Sequence, residues 1–212
     1  AAVIFLFFAA IRPDLFPTIG GVARFLDPAS TLGIMSVAVA LLMIGGEFDL
    51  STGVMTGTAG LIAGLLSTQA GWNIWPAMFV ALLFALAVGY LNGWLVVTTR
   101  LPSFIVTLAT FFILRGANVG VTRLITNQVR VAGIDRAESF YLARTIFSTE
   151  ITLFGVAFRT SIIWWIAITA LASWILLRTK YGSWIFAVGG DEEAARNVGV
   201  PVRRVKIALF MG

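Results

Sequence analysis

The chain contains no cysteine and no histidine. The first absence removes any disulfide framework and any thiolate nucleophile or metal ligand. The second removes imidazole as a general base and the commonest zinc ligand. No catalytic residue and no metal site can be assigned. Charge is nearly as scarce: Asp, Glu, Lys and Arg make up 12% of the 212 residues, while 59% are hydrophobic. A soluble domain carries about 25% charged residues, so this chain has too few to solvate a globular surface. A polytopic α-helical membrane protein follows. A phosphate-cradling loop is missing too, because neither Lys180 nor Lys206 follows a glycine in a GxxxxGK pattern. If the work of this chain uses ATP, another chain hydrolyses it, and no cofactor is expected here. The net charge of +5 lies beside apolar runs rather than in a patch, which argues against a nucleic-acid partner.

What is present is oil in lengths suited to a bilayer, whose core of roughly 30 Å needs about 20 apolar residues per helix. Apolar runs place candidate spans at 1–11, 30–46, 51–68, 74–98, 104–122 and 161–177, with another beginning at 205–212. The runs are continuous and lack period-2 alternation, which favours helices over a β-barrel. The first and last runs, AAVIFLFFAAI and VKIALFMG, read as cut helices, so both ends are expected to be truncated from a longer chain. No basic n-region or small-residue cleavage site marks a signal peptide. Arg178, Lys180, Arg196, Arg203, Arg204 and Lys206 cluster in one segment, which the positive-inside rule assigns to the cytoplasm. The Arg100 loop then shares that side. Residues 123–160, with a short apolar patch at 151–158, form a periplasmic loop, although Arg123, Arg130, Arg136, Arg144 and Arg159 dilute the bias. Trp72, Trp75, Trp164, Trp165 and Trp184 fall near span ends, as an aromatic belt would. The expected fold is a single all-α transmembrane helix bundle with a short cytoplasmic helix in the segment 178–204.

Several polar and small residues stand out against this background. Gly53, Gly57, Gly60 and Gly64 recur at i, i+4, i+7 and i+11, one stripe of a helix on which a neighbour can pack closely or slide. Asp49 and Ser51 precede that helix. Either can cap its first turn, and Asp49 can also serve as a charged gate at the cytoplasmic mouth. Ser103, Thr107 and Thr110 share a helix face, and Asn92 lies in the run before them. These neutral groups suit a path for a hydroxyl-rich, uncharged solute, and equally suit hydrogen bonds between helices. Arg115 reads as the end of its span, able to snorkel to the outer interface.

GGDEEAARNVGVP, residues 189–201, is the best-marked local structure. Gly189 and Gly190 break the preceding element, Asp191 is an N-cap, and Glu192 and Glu193 favour the positive helix end. Arg196 lies near the other end, Gly199 supplies a left-handed cap, and Pro201 prevents continuation. A helix of about two turns is marginal alone. Ala194, Ala195 and Val198 are read as one small apolar face able to contact another protein.

Four stretches carry a resemblance: GGEFDLSTG at 45–53, the pair Asn92-Gly93, LPSFIVTLATFFILRG at 101–116, and GGDEEAARNVG at 189–199. In this order they are similar to GG-x-DLSVG, an Asn-Gly pair, FI-x-TL-x-T followed by RG, and GGNEEAAR…G. That set resembles the permease subunits of ATP-binding cassette importers for ribose, xylose and similar monosaccharides. Glu47-Phe48 is one residue longer than the common form, Thr52 replaces a Val and Asp191 an Asn. The family also carries spans beyond the last stretch.

The resemblance implies an inner-membrane permease acting as a homodimer, with cytoplasmic ATPase subunits that hold ATP and Mg, and with a periplasmic sugar-binding protein. It implies alternating access, and a cytoplasmic coupling helix formed by Gly190, Asp191, Glu192, Glu193, Ala194, Ala195, Val198 and Gly199 that docks on the ATPase. The alternatives are a permease of the same kind for branched-chain amino acids or nucleosides, and a secondary transporter. The DLSTG segment argues against the first. The lack of a charged residue in mid-span argues against the second.

Overall fold

The computed structural model describes residues 2–153 and 155–212; Ala1 of the first run and Phe154 of the patch at 151–158 lie outside the described residues. The chain is an all-α polytopic bundle in which the apolar runs become helices α1 (Ala2–Ile11), α2 (Ile19–Ile44), α3 (Thr52–Thr68), α4 (Ile74–Thr99) and α5 (Ser103–Thr126). A further segment follows, with α6 (Phe140–Ser148) and a hairpin of β1 (Glu150–Leu153) and β2 (Val156–Arg159). The chain then returns as α7 (Ser161–Arg178), α8 (Lys180–Gly190), α9 (Glu192–Asn197) and α10 (Val202–Met211). Among the described residues four helices, α2, α4, α5 and α7, are long and apolar enough to cross a membrane. The 17-residue α3 is shorter.

Local chemistry sets the boundaries. The Gly21 N–H donates to Thr18 Oγ1 at 3.0 Å, so α2 begins eleven residues before the run expected at 30–46 and continues through Pro28. The Trp75 N–H donates to Asn73 Oδ1 at 3.1 Å at the start of α4. Arg100 ends that helix in the left-handed conformation, and Pro102 leads into α5. The α5 helix runs on to Thr126, four residues past the expected 122, because nothing at Gly116 or Gly120 interrupts its ladder. Arg115 therefore lies in mid-helix, its guanidinium 5.9 Å from the Phe111 ring centre, and does not end the span.

The segment 123–160, expected as a loop, holds α6 and the antiparallel hairpin, in the register Glu150 with Arg159. Arg159 pairs with Asp27 at 3.2 Å, and the Trp164 indole donates to Ile146 O at 3.0 Å, which seats α6 beside the aromatic belt. Gly189 and Gly190 are the last two residues of α8, which ends there as expected.

The helices pack α2 on α7, α3 on α4 and α5, and α10 on α4. Large apolar side chains point mostly outward, as they do when lipid is the solvent. The core is confined to seams. Leu42, Val96, Val106 and Phe210 form one; Ile185, Val188, Ala195, Val202 and Val205 form another where α8, α9 and α10 meet. The Asn92-Gly93 pair acquires a reason here. A Cβ on Gly93 would lie 2.9 Å from Ile207 Cα, so glycine lets α10 approach α4 backbone to backbone. Gly93→Val should lower the thermal midpoint in detergent, equivalent to about 1–3 kcal/mol of overpacking; an unchanged midpoint would contradict this packing.

Candidate functional site

Between α2 and α3 the chain passes through residues 45–51 without helical structure, yet Ser51 there is almost wholly buried. Away from water, its backbone groups require partners from the protein. The Phe48 N–H donates to Ser103 Oγ at 3.1 Å, and the Leu50 N–H donates to Thr107 Oγ1 at 3.2 Å. The Thr107 hydroxyl in turn donates to Ser103 O at 2.8 Å. Both the N–H and the hydroxyl of Ser51 donate to Asp49 Oδ1 at 2.6 Å. Asn92 Nδ2 donates to Ser51 Oγ at 3.2 Å, and Thr110 donates to Asn92 Oδ1 at 2.6 Å. Three of the resembling stretches, far apart in sequence, thus meet in one hydrogen-bonded cluster.

The expectations for these residues change accordingly. Asn92, Ser103, Thr107 and Thr110 are turned into the protein as partners of the 48–51 segment and of one another. None of them lines the adjacent cavity of about 300 Å³, whose walls include Asp49, Ser51, Thr52, Met55 and Phe210. Ser51 makes no cap bond to the first turn of α3, because Asp49 and Asn92 occupy its hydroxyl. The Asp49 carboxylate bonds Ser51 rather than the helix end. The glycine seam also needs correction. Gly53, Gly57 and Gly60 are exposed, and a Cβ on any of them would meet nothing within 4 Å; Gly64 alone approaches a neighbour, Val131. The α4 and α5 helices pack on the other side of α3, where Thr58 and Ala63 are buried and Asn118 donates to Thr58 Oγ1 at 3.0 Å.

The second part of the site is α9. Asp191 Oδ1 accepts from the N–H groups of Glu193 and Ala194, both at 2.9 Å. The Val200 N–H reaches back to Ala195 O at 3.0 Å, and Gly199, at φ +87°, makes the left-handed turn this closure needs. Residues one apart on a helix face in different directions, and the three apolar residues separate on that account. Ala195 is 2% exposed, packed on Ile185, Val188, Val202 and Val205. Ala194 and Val198, four apart, face solvent, with Val198 79% exposed. Gly190 and Glu193 are exposed as well.

Sequence reading missed the residue that joins the two parts. Lys206 Nζ lies 2.7 Å from Glu47 Oε1 and 2.7 Å from Glu192 Oε2, and Arg196 pairs with Glu192 Oε1 at 2.7 Å. Lys206 and Glu47 are nearly buried, with side chains 13% and 9% exposed. A charge inside the apolar run 205–212 was the signal available. The hydrogen bond from Lys206 holds the Glu192 carboxyl below its ordinary value of 4.5; burial opposes this, and the charges of Lys206 and Arg196 add to the lowering. Beside this node a polar cleft of about 940 Å³ opens between α9 and the 96–102 turn, lined among others by Arg100, Glu193, Arg196 and Arg203. Among the described residues no group of three Asp or Glu side chains could hold a metal ion.

The chain matches, over residues 21–212, the family described as branched-chain amino acid transport system / permease component, and it belongs to that family. It is 28% identical to the xylose transport system permease protein XylH of Escherichia coli (strain K12), over 98% of this chain and 65% of that protein. It is 29% identical to the ribose import permease protein RbsC of the same strain, over 95% of this chain and 60% of the relative. With the autoinducer 2 import system permease protein LsrC of Escherichia coli O9:H4 (strain HS) it shares 30% identity, over 86% of this chain and 49% of the relative. The chain therefore spans between about half and two thirds of the length of these relatives. No solved structure matches. With its apolar helices of spanning length, the chain is a multi-pass protein of the bacterial inner membrane.

Two outcomes test this geometry. Thr107→Val removes the acceptor of the Leu50 N–H and should cost about 1–3 kcal/mol in detergent unfolding, whereas Thr107→Ser should cost much less. Because the Glu192 carboxyl is held low, its support of α9 is complete above its ordinary value and is lost as pH falls through the lowered one. Hydrogen-exchange protection of the amides of α9, corrected for intrinsic rates, should stay level from neutral pH to 4.5 and decline only below it; decline above that value would contradict the pairing.

Proposed function

We propose that this chain is part of the permease subunit of an ATP-binding cassette importer that carries a monosaccharide across the inner membrane by alternating access. Separate cytoplasmic ATPase subunits supply the energy and hold ATP and Mg, a periplasmic binding protein delivers the sugar, and two permease copies form the pathway. The observation that carries the reading is α9, which is too short to persist alone yet capped at both ends and seated by Ala195. It presents Ala194 and Val198 outward on the face rich in basic residues. We read it as the coupling helix, with Gly190, Asp191, Glu192, Glu193 and Gly199 shaping it and with the Ala194–Val198 side entering a groove of the ATPase. The cleft beside it offers a charged rim to the same partner.

Substrate class rests on relatives. The proteins named for xylose, ribose and autoinducer 2 import support a small polyhydroxylated solute. The family description also names branched-chain amino acids, and a permease for these is the second reading on that ground. Arg115 places a charge in the middle of α5, so a want of mid-span charge does not set this chain apart from secondary transporters. Family membership does so instead.

The driving force needs only that ATP and the loaded binding protein favour different conformations of the bundle. In the complete permease, Val198→Asp should weaken association with the ATPase subunits at least about tenfold by placing a charge in an apolar contact. Co-purification and titration measure it, and unchanged affinity would overturn the docking face. A panel of ligand-loaded binding proteins, read by stimulation of ATPase activity in the reconstituted complex, assigns the solute. Stimulation by an amino-acid binding protein alone would favour the second reading.

A further inference from the structure

We infer that Lys206 is a positioning residue that transmits movement of the coupling helix to the partly buried 47–51 segment; this rests on the coupling reading above. The geometry is specific. One ammonium holds two carboxylates from separate parts of the chain, Glu192 on α9 and Glu47 in the turn after α2, each at 2.7 Å. From Glu47 the connection continues along the backbone to Phe48 and Leu50, which are bonded to Ser103 and Thr107 of α5. At Ser51 it passes through Asn92 of α4 to Thr110. Every step is a hydrogen bond or a covalent bond, so a displacement at Glu192 has an unbroken polar route to the interior of α4 and α5.

The apolar seat of α9 does not do the same. Ala195 shares a cluster with Ile185, Val188, Val202 and Val205 of α8 and α10, against which Ile44 of α2 and Leu176 of α7 also pack. Apolar contacts of that kind resist separation but are non-directional. The Lys206 bridge instead fixes distance and direction between α9 and the 47–51 turn. The Lys206–Glu47 arm is nearly buried, which limits screening there by salt, while Glu192 is more exposed.

The test uses the complete permease with its ATPase subunits and binding protein, reconstituted in vesicles. Lys206→Met should leave ATPase association within about twofold of wild type. Solute transported per ATP hydrolysed should fall at least about fivefold, the lower range of a site-to-site coupling. Lys206→Arg should restore most of that ratio. Since Lys206→Met leaves Glu47 without a partner, the double variant Lys206→Met, Glu47→Gln keeps the question open to refutation. It removes the orphan charge and should fold as wild type while remaining uncoupled.

A normal transport-to-ATP ratio in either variant would overturn the inference, and so would recovery of coupling in the double variant. Loss of ATPase association in the folded double variant would overturn it as well, by making Lys206 a mere support of the docking helix. If the wild-type permease itself binds no ATPase subunit, the coupling reading falls first and this inference with it.

Discussion

The constraint on which the rest depends is a stretch of irregular backbone, residues 45–51, partly buried against the helices, with Gly45 and Ser51 enclosed. In such surroundings each unpaired N–H or C=O is costly, so non-helical backbone persists only where protein groups replace water. The α5 helix supplies those groups by a match of repeats. Ser103 and Thr107 stand four residues apart, about 6 Å along a helix, and they receive the N–H groups of Phe48 and Leu50. Two residues of extended chain advance about 6.7 Å, and alternate N–H groups point the same way. The serine–threonine spacing in SFIVTLAT is thus the complement of the DLS segment, and Asn92 secures Ser51 from the other side.

A second consequence concerns how charge is used. Breaking a half-buried ion pair by removing one partner generally costs about 3–5 kcal/mol, whereas replacing the whole set by apolar residues is often neutral or better. Stability alone is therefore a weak reason for Glu47, Lys206 and Glu192 to meet. An apolar trio would hold the same segments together without fixing their relative direction. Arg196 adds to this by occupying the other oxygen of Glu192 at 2.7 Å, so both oxygens of the carboxylate are engaged. The site is ion-paired where α9 meets the turn and exposed where Ala194 and Val198 face outward.

Legibility in the sequence followed the range of the interactions. The caps of α9 were readable because Asp191, Gly199 and Pro201 act within a few residues of the backbone they terminate. The existence of the long helices was readable because apolar length is a local property. Partnerships were not. That Ser103 and Thr107 would receive backbone groups 55 and 57 residues away depends on which segment the fold lays against them. Lys206 is the extreme case, bonded across 159 residues to Glu47. Periodicity also misled where it was partly right: the glycines of α3 do share a stripe, but α4 and α5 take the opposite side. Ala195 parted from Ala194 and Val198 because a shared composition was read as a shared face.

Arg115 shows how far electrostatics constrains the surroundings of α5. It stands twelve residues after Ser103, about 18 Å along the axis, and eleven before Thr126 in a helix that does not end at either neighbour. Measured from the Ser103 end, a bilayer core of roughly 30 Å leaves Arg115 about 12 Å from the far interface, a distance that a snorkelling side chain covers only in part. The Phe111 ring at 5.9 Å is the aromatic face its guanidinium finds within this chain, and a cation–π contact is worth about 0.5–2 kcal/mol. Insertion of an arginine at mid-span costs at least about 2.5–3.5 kcal/mol. The cost of insertion exceeds what the ring returns, so the exposed side of α5 at Arg115 belongs against protein or water rather than hydrocarbon.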